Sequence, residues 1–141
     1  MINLLSGVDS TASALNAERI RMEVISQNIA NVNTTRDVDG KPYARQQVVF
    51  ETALSQAQSG TTTGARTVQV AKIEKDKSAP RMVYSPGNPL ADENNMVAMP
   101  NINIHEEMAD LISSSRTFEA NITVLKNARQ MAIQSLSIGK H

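Results

Sequence analysis

Residues 103–139 read NIHEEMADLISSSRTFEANITVLKNARQMAIQSLSIG, with no proline anywhere and no glycine before Gly139. Asn103 with Glu106 three residues on has the spacing of a capping box, which opens a helix. Glu106, Glu107 and Asp110 fall in the first two turns, where the helix dipole favours negative charge. Lys126, Arg129 and Lys140 load the far end, and Gly139 suits a C-terminal cap. The stretch predicts one helix over residues 104–138, roughly 50 Å long at about 1.5 Å per residue. Along it Ile104, Met108, Leu111, Ser115, Phe118, Ile122, Leu125, Arg129, Ala132 and Leu136 follow in alternating steps of four and three. That spacing puts them on one stripe, the a/d seam of a coiled coil.

The other end of the chain repeats the pattern. Ile2 to Val32 holds no proline and one early glycine, Gly7, and predicts a second helix. Leu5, Val8, Ala12, Leu15, Arg19, Met22, Ser26 and Ile29 keep the same seven-residue beat. The run 31–35, Asn-Val-Asn-Thr-Thr, ends the helix, because Asn tolerates the left-handed conformation found just past helix ends. Two seams at opposite ends predict that the ends pair with each other and with further copies or relatives. The expected assembly interface is Val8, Leu15, Arg19, Met22, Ile25 and Ile29 on the first helix, with Met108, Leu111, Phe118, Ile122, Leu125, Arg129 and Leu136 on the last. Each seam carries a Ser and an Arg at core-type positions, Ser26 with Arg19 and Ser115 with Arg129. Such residues either fix register and partner choice or mark where the seam stops and Arg reaches water. Glu18, Glu107 and Glu119 are candidate partners for the arginines.

All five prolines lie between the helices, at positions 42, 80, 86, 89 and 100. Asp39-Gly40 before Pro42 is a turn signal. Residues 46–52, 67–75 and 81–84 read as short strands, and 55–66 as a polar loop or hairpin tip. Residues 90–100 read as an extended, irregular connector. The expected fold is therefore mainly α: an antiparallel, coiled-coil-like pair of terminal helices with a small inserted β-hairpin region and extended loops, α+β overall. Its parts are an N-terminal helix (1–33), an inserted region (34–103) and a C-terminal helix (104–141), the two helices forming one core domain.

Composition favours a structural role. The chain has 141 residues, room for one domain. Fourteen basic residues balance fourteen acidic ones, so no net field draws it to nucleic acid or an anionic membrane. Aromatics are 3% and Trp is absent, which argues against a large compact core. The absence of cysteine excludes disulfides, thiol catalysis and zinc–thiolate sites. The first residues lack the basic start and long apolar core of a cleaved secretory signal, and no apolar run is long enough to span a membrane. His105 and His141 are the only histidines. His105 stands beside Glu106 and Glu107, but helix neighbours diverge by about 100°, so the three do not converge on a ligand. The Asp37-x-Asp39-Gly40 run begins like a calcium loop yet lacks the acidic residue twelve positions along, and its Gly is misplaced. No phosphate loop or activated serine is present, so neither catalytic nor cofactor-binding nor metal residues are expected.

The ends also carry a resemblance. Residues 13–19, Ser-Ala-Leu-Asn-Ala-Glu-Arg, leading to 25–35, Ile-Ser-Gln-Asn-Ile-Ala-Asn-Val-Asn-Thr-Thr, resemble the N-terminal signature of bacterial flagellar rod and hook proteins. Residues 103–108 and 116–121 resemble their C-terminal signature. Gly40-Lys41-Pro42-Tyr43, residues 47–50, Pro86 to Asp92 and Pro100 to Asn103 are similar to the proximal-rod family, FlgC. The likeness runs from about Leu4 to Lys140. It departs at Asn95-Met96, where the family pattern has a glycine and an aromatic. The resemblance implies a non-enzymatic subunit of the basal-body proximal rod in the periplasm, exported by the flagellar type III apparatus without a cleaved signal. Its implied partners are other proximal-rod and distal-rod proteins, the rod-base adaptor and copies of itself, with no cofactor, no nucleic acid and no membrane span. The alternative from the helices alone is a soluble coiled-coil adaptor or export chaperone. A small envelope hydrolase would need a convergent site that the sequence does not supply.

Overall fold

Two long helices frame four strands. The computed structural model describes residues 2–54 and 66–138, with side chains described for 7–52 and 67–137. The order is α1 (Ile2–Ala30), β1 (Gln46–Leu54), β2 (Arg66–Lys75), β3 (Arg81–Tyr84), β4 (Met96–Met99) and α2 (Ile104–Ile138). The expected loop or hairpin tip at 55–66 falls almost wholly outside the described residues, as does the expected cap at Gly139. With strands of 9, 10, 4 and 4 residues beside helices of 29 and 35, the chain is α+β.

α2 begins where its capping residue predicts. The Asn103 side-chain oxygen accepts from the His105 N–H at 3.1 Å, and the Asn103 carbonyl accepts from the Glu107 N–H at 3.0 Å. α1 ends differently from expectation. Asn31 is not left-handed; among the described residues Asn95 alone combines a side chain with positive φ. Asn31 instead turns its side-chain amide onto the Gln27 carbonyl at 2.9 Å, and its own Oδ1 accepts from the Thr34 hydroxyl at 3.1 Å. The Gln27 carbonyl thus accepts both the backbone N–H of Asn31, at 3.0 Å, and its side-chain amide, with no backbone reversal at Asn31.

β1 and β2 pair antiparallel, with Gln46 opposite Lys75 and Leu54 opposite Arg66. Ala71 has no partner in the register, so a bulge bends the hairpin there. Ser13 on α1 ties it down: its hydroxyl accepts from the Val68 N–H at 3.2 Å and donates to the Ser10 carbonyl at 2.8 Å. β3 pairs antiparallel with β4, Arg81 opposite Met99. The stretch 90–100 is thus no simple connector, because its last third completes a second hairpin. Asp92 builds that turn, accepting from the N–H groups of Asn94 and Met96, both at 2.9 Å. Asn95 takes φ 58° there, a left-handed conformation that Asn tolerates and glycine adopts without strain.

The helices touch with their chain directions opposed: Asn28 meets Glu107, and ten residues earlier Glu18 meets Ser114. The apolar core is small. Ala17, Val24, Ile25, Tyr43, Val97 and Ile102 are the buried hydrophobic residues among those described. The seven-residue beat is present, but the contact stripe is turned from the expected one. On α2 the half-buried Leu111, Phe118, Leu125 and Ala132 do lie on it. They alternate with Glu107, Ser114, Asn121 and Ala128, while Met108 and Arg129 are exposed. On α1, Ala17, Val24 and Asn28 face inward, and Ala12, Arg19 and Ser26 face water. Small and polar residues fill part of the contact between the helices, and α1 also packs against β1 and β2.

Candidate assembly interface and a clasp between the chain ends

Among the described residues, three of the four most deeply buried side chains are polar, the fourth being Pro100. Asn28, Glu107 and Ser114 are each 1% exposed. Asn28 stands near the end of α1 and has four hydrogen-bonding positions, two donors and two acceptors. Its amide donates to the Gln46 carbonyl at 2.9 Å and to Glu107 Oε2 at 3.0 Å. Its oxygen accepts from the Tyr43 hydroxyl at 3.1 Å and from the Gln46 N–H at 2.9 Å. Every position is filled, which is what a buried amide requires.

Glu107 lies in the first turn of α2, where the dipole already favours its charge. Arg45, just before β1, donates from Nε to its other oxygen at 2.5 Å. The guanidinium neutralises a carboxylate that burial would otherwise penalise heavily. Tyr43 reaches in from the loop before β1, held by its own N–H on the Thr34 carbonyl at 3.1 Å. Burial first, then the negative charges of Asp37 and Glu107, push its hydroxyl above the ordinary tyrosine range. The ladder continues past Gln46, since the Asp76 N–H donates to the Arg45 carbonyl at 2.6 Å. Asp76 accepts in turn from the hydroxyl and N–H of Ser78, which hold its carboxyl below the usual range. One clasp therefore joins the end of α1, the start of β1 and the start of α2.

Glu18 makes a second tie, accepting from the Ser114 hydroxyl and standing 3.9 Å from Arg21. Glu107 and Glu18 are thus engaged within the chain and are not free partners for Arg19 or Arg129. Arg19 donates to Asn16 one turn back at 3.2 Å and is otherwise exposed, as is Arg129.

The expected interface residues separate into two groups. Ile25 is buried inside the subunit, and Val8, Leu15, Met22, Ile29, Leu111, Phe118, Ile122 and Leu125 are half-buried. Met108 and Leu136 are half or more exposed, together with Ile112, Val124, Met131 and Ile133, and Ile104 is exposed to a lesser degree. Such exposed apolar side chains are uncovered within the single chain. Of these exposed residues the seven-residue spacing picks out Ile104, Met108 and Leu136 and passes over Ile112, Val124, Met131 and Ile133; it also misses the clasp, since Asn, Glu, Tyr and Arg carry no apolar signal. Their nearest trace is that Asn28 and Glu107 both fall within the two terminal signatures.

Among the described residues, no three His, Asp or Glu side chains come together to hold a metal, and no helix is long and apolar enough to cross a membrane. A groove of about 440 Å³ runs beside the clasp, lined by Ile25, Phe50 and Val48 with Arg21 and Asp110 at its rim. It gathers no catalytic set.

Comparison with known proteins follows the two ends. Residues 9–36 match the family described as "Flagella basal body rod protein", and residues 93–138 match "Flagellar basal body rod FlgEFG protein C-terminal". Over the whole length, the chain is 40% identical to the flagellar basal-body rod protein FlgC of Yersinia enterocolitica, across 139 residues that cover 99% of this chain and 100% of that one. It is 39% identical to the protein of that name from Salmonella typhimurium, covering 97% and 98%. For Bacillus subtilis the figures are 40% identity, 92% and 94%. Terminal helices tied across the chain, an apolar surface left open along them and full-length identity of this degree agree, and the chain belongs to the FlgC family of flagellar basal-body rod proteins.

Proposed function

We propose that this chain is a structural subunit of the flagellar basal-body rod, standing in its proximal part and polymerising through its terminal helices. The observation that carries this reading is full-length identity near 40% to rod proteins from distant bacteria. The open apolar residues along α2 support assembly by the helices, because a core of six buried apolar side chains leaves them uncovered. The opposed chain directions and the seven-residue beat support a coiled-coil-like pair forming one core unit, with residues 34–103 inserted. Val8, Leu15, Met22 and Ile29 with Met108, Ile122 and Leu136 are the residues assigned to neighbouring subunits, and Arg19 and Arg129 are assigned to acids or carbonyls across that contact.

The rod is a mechanical part, and the chain is not an enzyme. Its partners in this reading are copies of itself, other proximal-rod and distal-rod proteins and the rod-base adaptor. It reaches the periplasm through the flagellar type III apparatus with no cleaved signal. Deletion of the gene in the native bacterium, with restoration from a plasmid, tests the reading. Basal bodies purified from the deletion strain are expected to lack the rod, and those from the restored strain to contain the intact chain. Normal rods without it, or the chain found only in the cytoplasm bound to export substrates, would overturn the proposal in favour of an adaptor or chaperone.

A further inference from the structure

The clasp does more than hold the ends together. The buried and half-buried positions of α2 repeat every seven residues in kind: Leu111, Phe118 and Leu125 on one line, Ser114, Asn121 and Ala128 on the other. Sliding α2 by one heptad therefore replaces each contact with a similar one. Apolar packing and small residues alone discriminate weakly between the two registers. The clasp discriminates strongly. A slip that brings Asn121 to the place of Ser114 brings Ser114 to the place of Glu107. Asn28 then loses its carboxylate partner and Arg45 loses its counter-charge. A slip the other way brings Glu107 against Glu18.

From this we infer that Asn28, Arg45 and Glu107 are register-setting residues, which fix the axial position of α2 against α1 and so decide which levels of the two helices stand side by side. A single buried polar contact is the device best suited to choosing among near-equivalent heptad registers. The role goes beyond rod membership, and it can be read in one chain without any rod.

The chain contains no cysteine, so paired reporters need no prior substitutions. Glu18→Cys with Ser114→Cys reports the native register, and Glu18→Cys with Asn121→Cys reports the slipped one. A bismaleimide linker shorter than a heptad's rise of about 10 Å separates them. The linker is applied to the purified full-length chain, each pair being placed in the parent, in Glu107→Leu and in Arg45→Met, and helix content is followed by circular dichroism. The parent is expected to crosslink 18 to 114 and not 18 to 121. Both clasp variants are expected to raise the 18–121 product at least tenfold at unchanged helix content. If Glu107→Leu fails to fold, Arg45→Met decides alone, since it keeps the Asn28–Glu107 bond and removes only the counter-charge. Helical variants that crosslink only 18 to 114 would overturn the inference, and apolar packing would then set the register.

Discussion

Replacing Asn28 with Ala removes the centre of the clasp and leaves its surroundings in place. Four hydrogen bonds disappear: two to the Gln46 backbone, one to the Tyr43 hydroxyl and one to the Glu107 carboxylate. Three neutral bonds at about 1 kcal/mol each and a charged one at about 2 kcal/mol give a gross loss of about 5 kcal/mol. The partners are not all stranded. Gln46 and Glu107 border the groove of about 440 Å³, from which water can reach them. That recovery brings the expected loss to about 3–4 kcal/mol, still large for one polar residue. The assay is urea unfolding of the full chain followed by helical circular dichroism. Gln27→Ala, at the exposed neighbouring position, is the control and is expected to change stability by under about 0.5 kcal/mol. A loss below about 1 kcal/mol for Asn28→Ala would refute the reasoning, because the clasp would then be a passive result of helix packing.

Four further outcomes are expected. Leu125→Asp puts a charge beside the half-buried seam, where a leucine contributes roughly 1.5–3 kcal/mol, so motility is lost at normal protein level; full motility would count against the seam. Arg129→Leu, at an exposed position, leaves subunit stability within about 0.5 kcal/mol but lowers the yield of complete rods relative to export; an unchanged yield makes Arg129 a solvated flank. The raised hydroxyl of Tyr43 contributes stability that is complete below the unfolded value of about 10 and is lost as pH rises through the folded value. Tyr43→Phe should therefore abolish that alkaline loss, and an identical alkaline unfolding curve would contradict it. Amide exchange in the isolated chain should be slowest over residues 107–118 of α2, near both ties, and fastest over 129–137, where nearly every side chain is exposed; uniform protection along α2 would exclude this gradient.

The sequence by itself determined the elements, because local signals suffice for them. Uninterrupted apolar periodicity and the Asn103 cap place α2 at residues 104–138, as observed. The strand at 81–84 is likewise where alternation puts it. Which large hydrophobic side chains stay uncovered was legible only in part: Met108 and Leu136 of the seam are exposed, but so are Ile112, Val124, Met131 and Ile133, which lie off it. Three features were decided only by the tertiary structure. β4 has the four residues Met-Val-Ala-Met, too short to show a period, and exists because β3 pairs with it across a turn made by Asp92 and Asn95. The face that α2 turns to α1 is set by Glu107 and Ser114, which hydropathy assigns to water. Burial of a carboxylate or an amide depends on partners distant in the chain: 79 residues separate Asn28 from Glu107, and 62 separate Arg45 from it. No local pattern encodes such a pairing, because its free energy arises only when all the partners arrive together and water is excluded from between them.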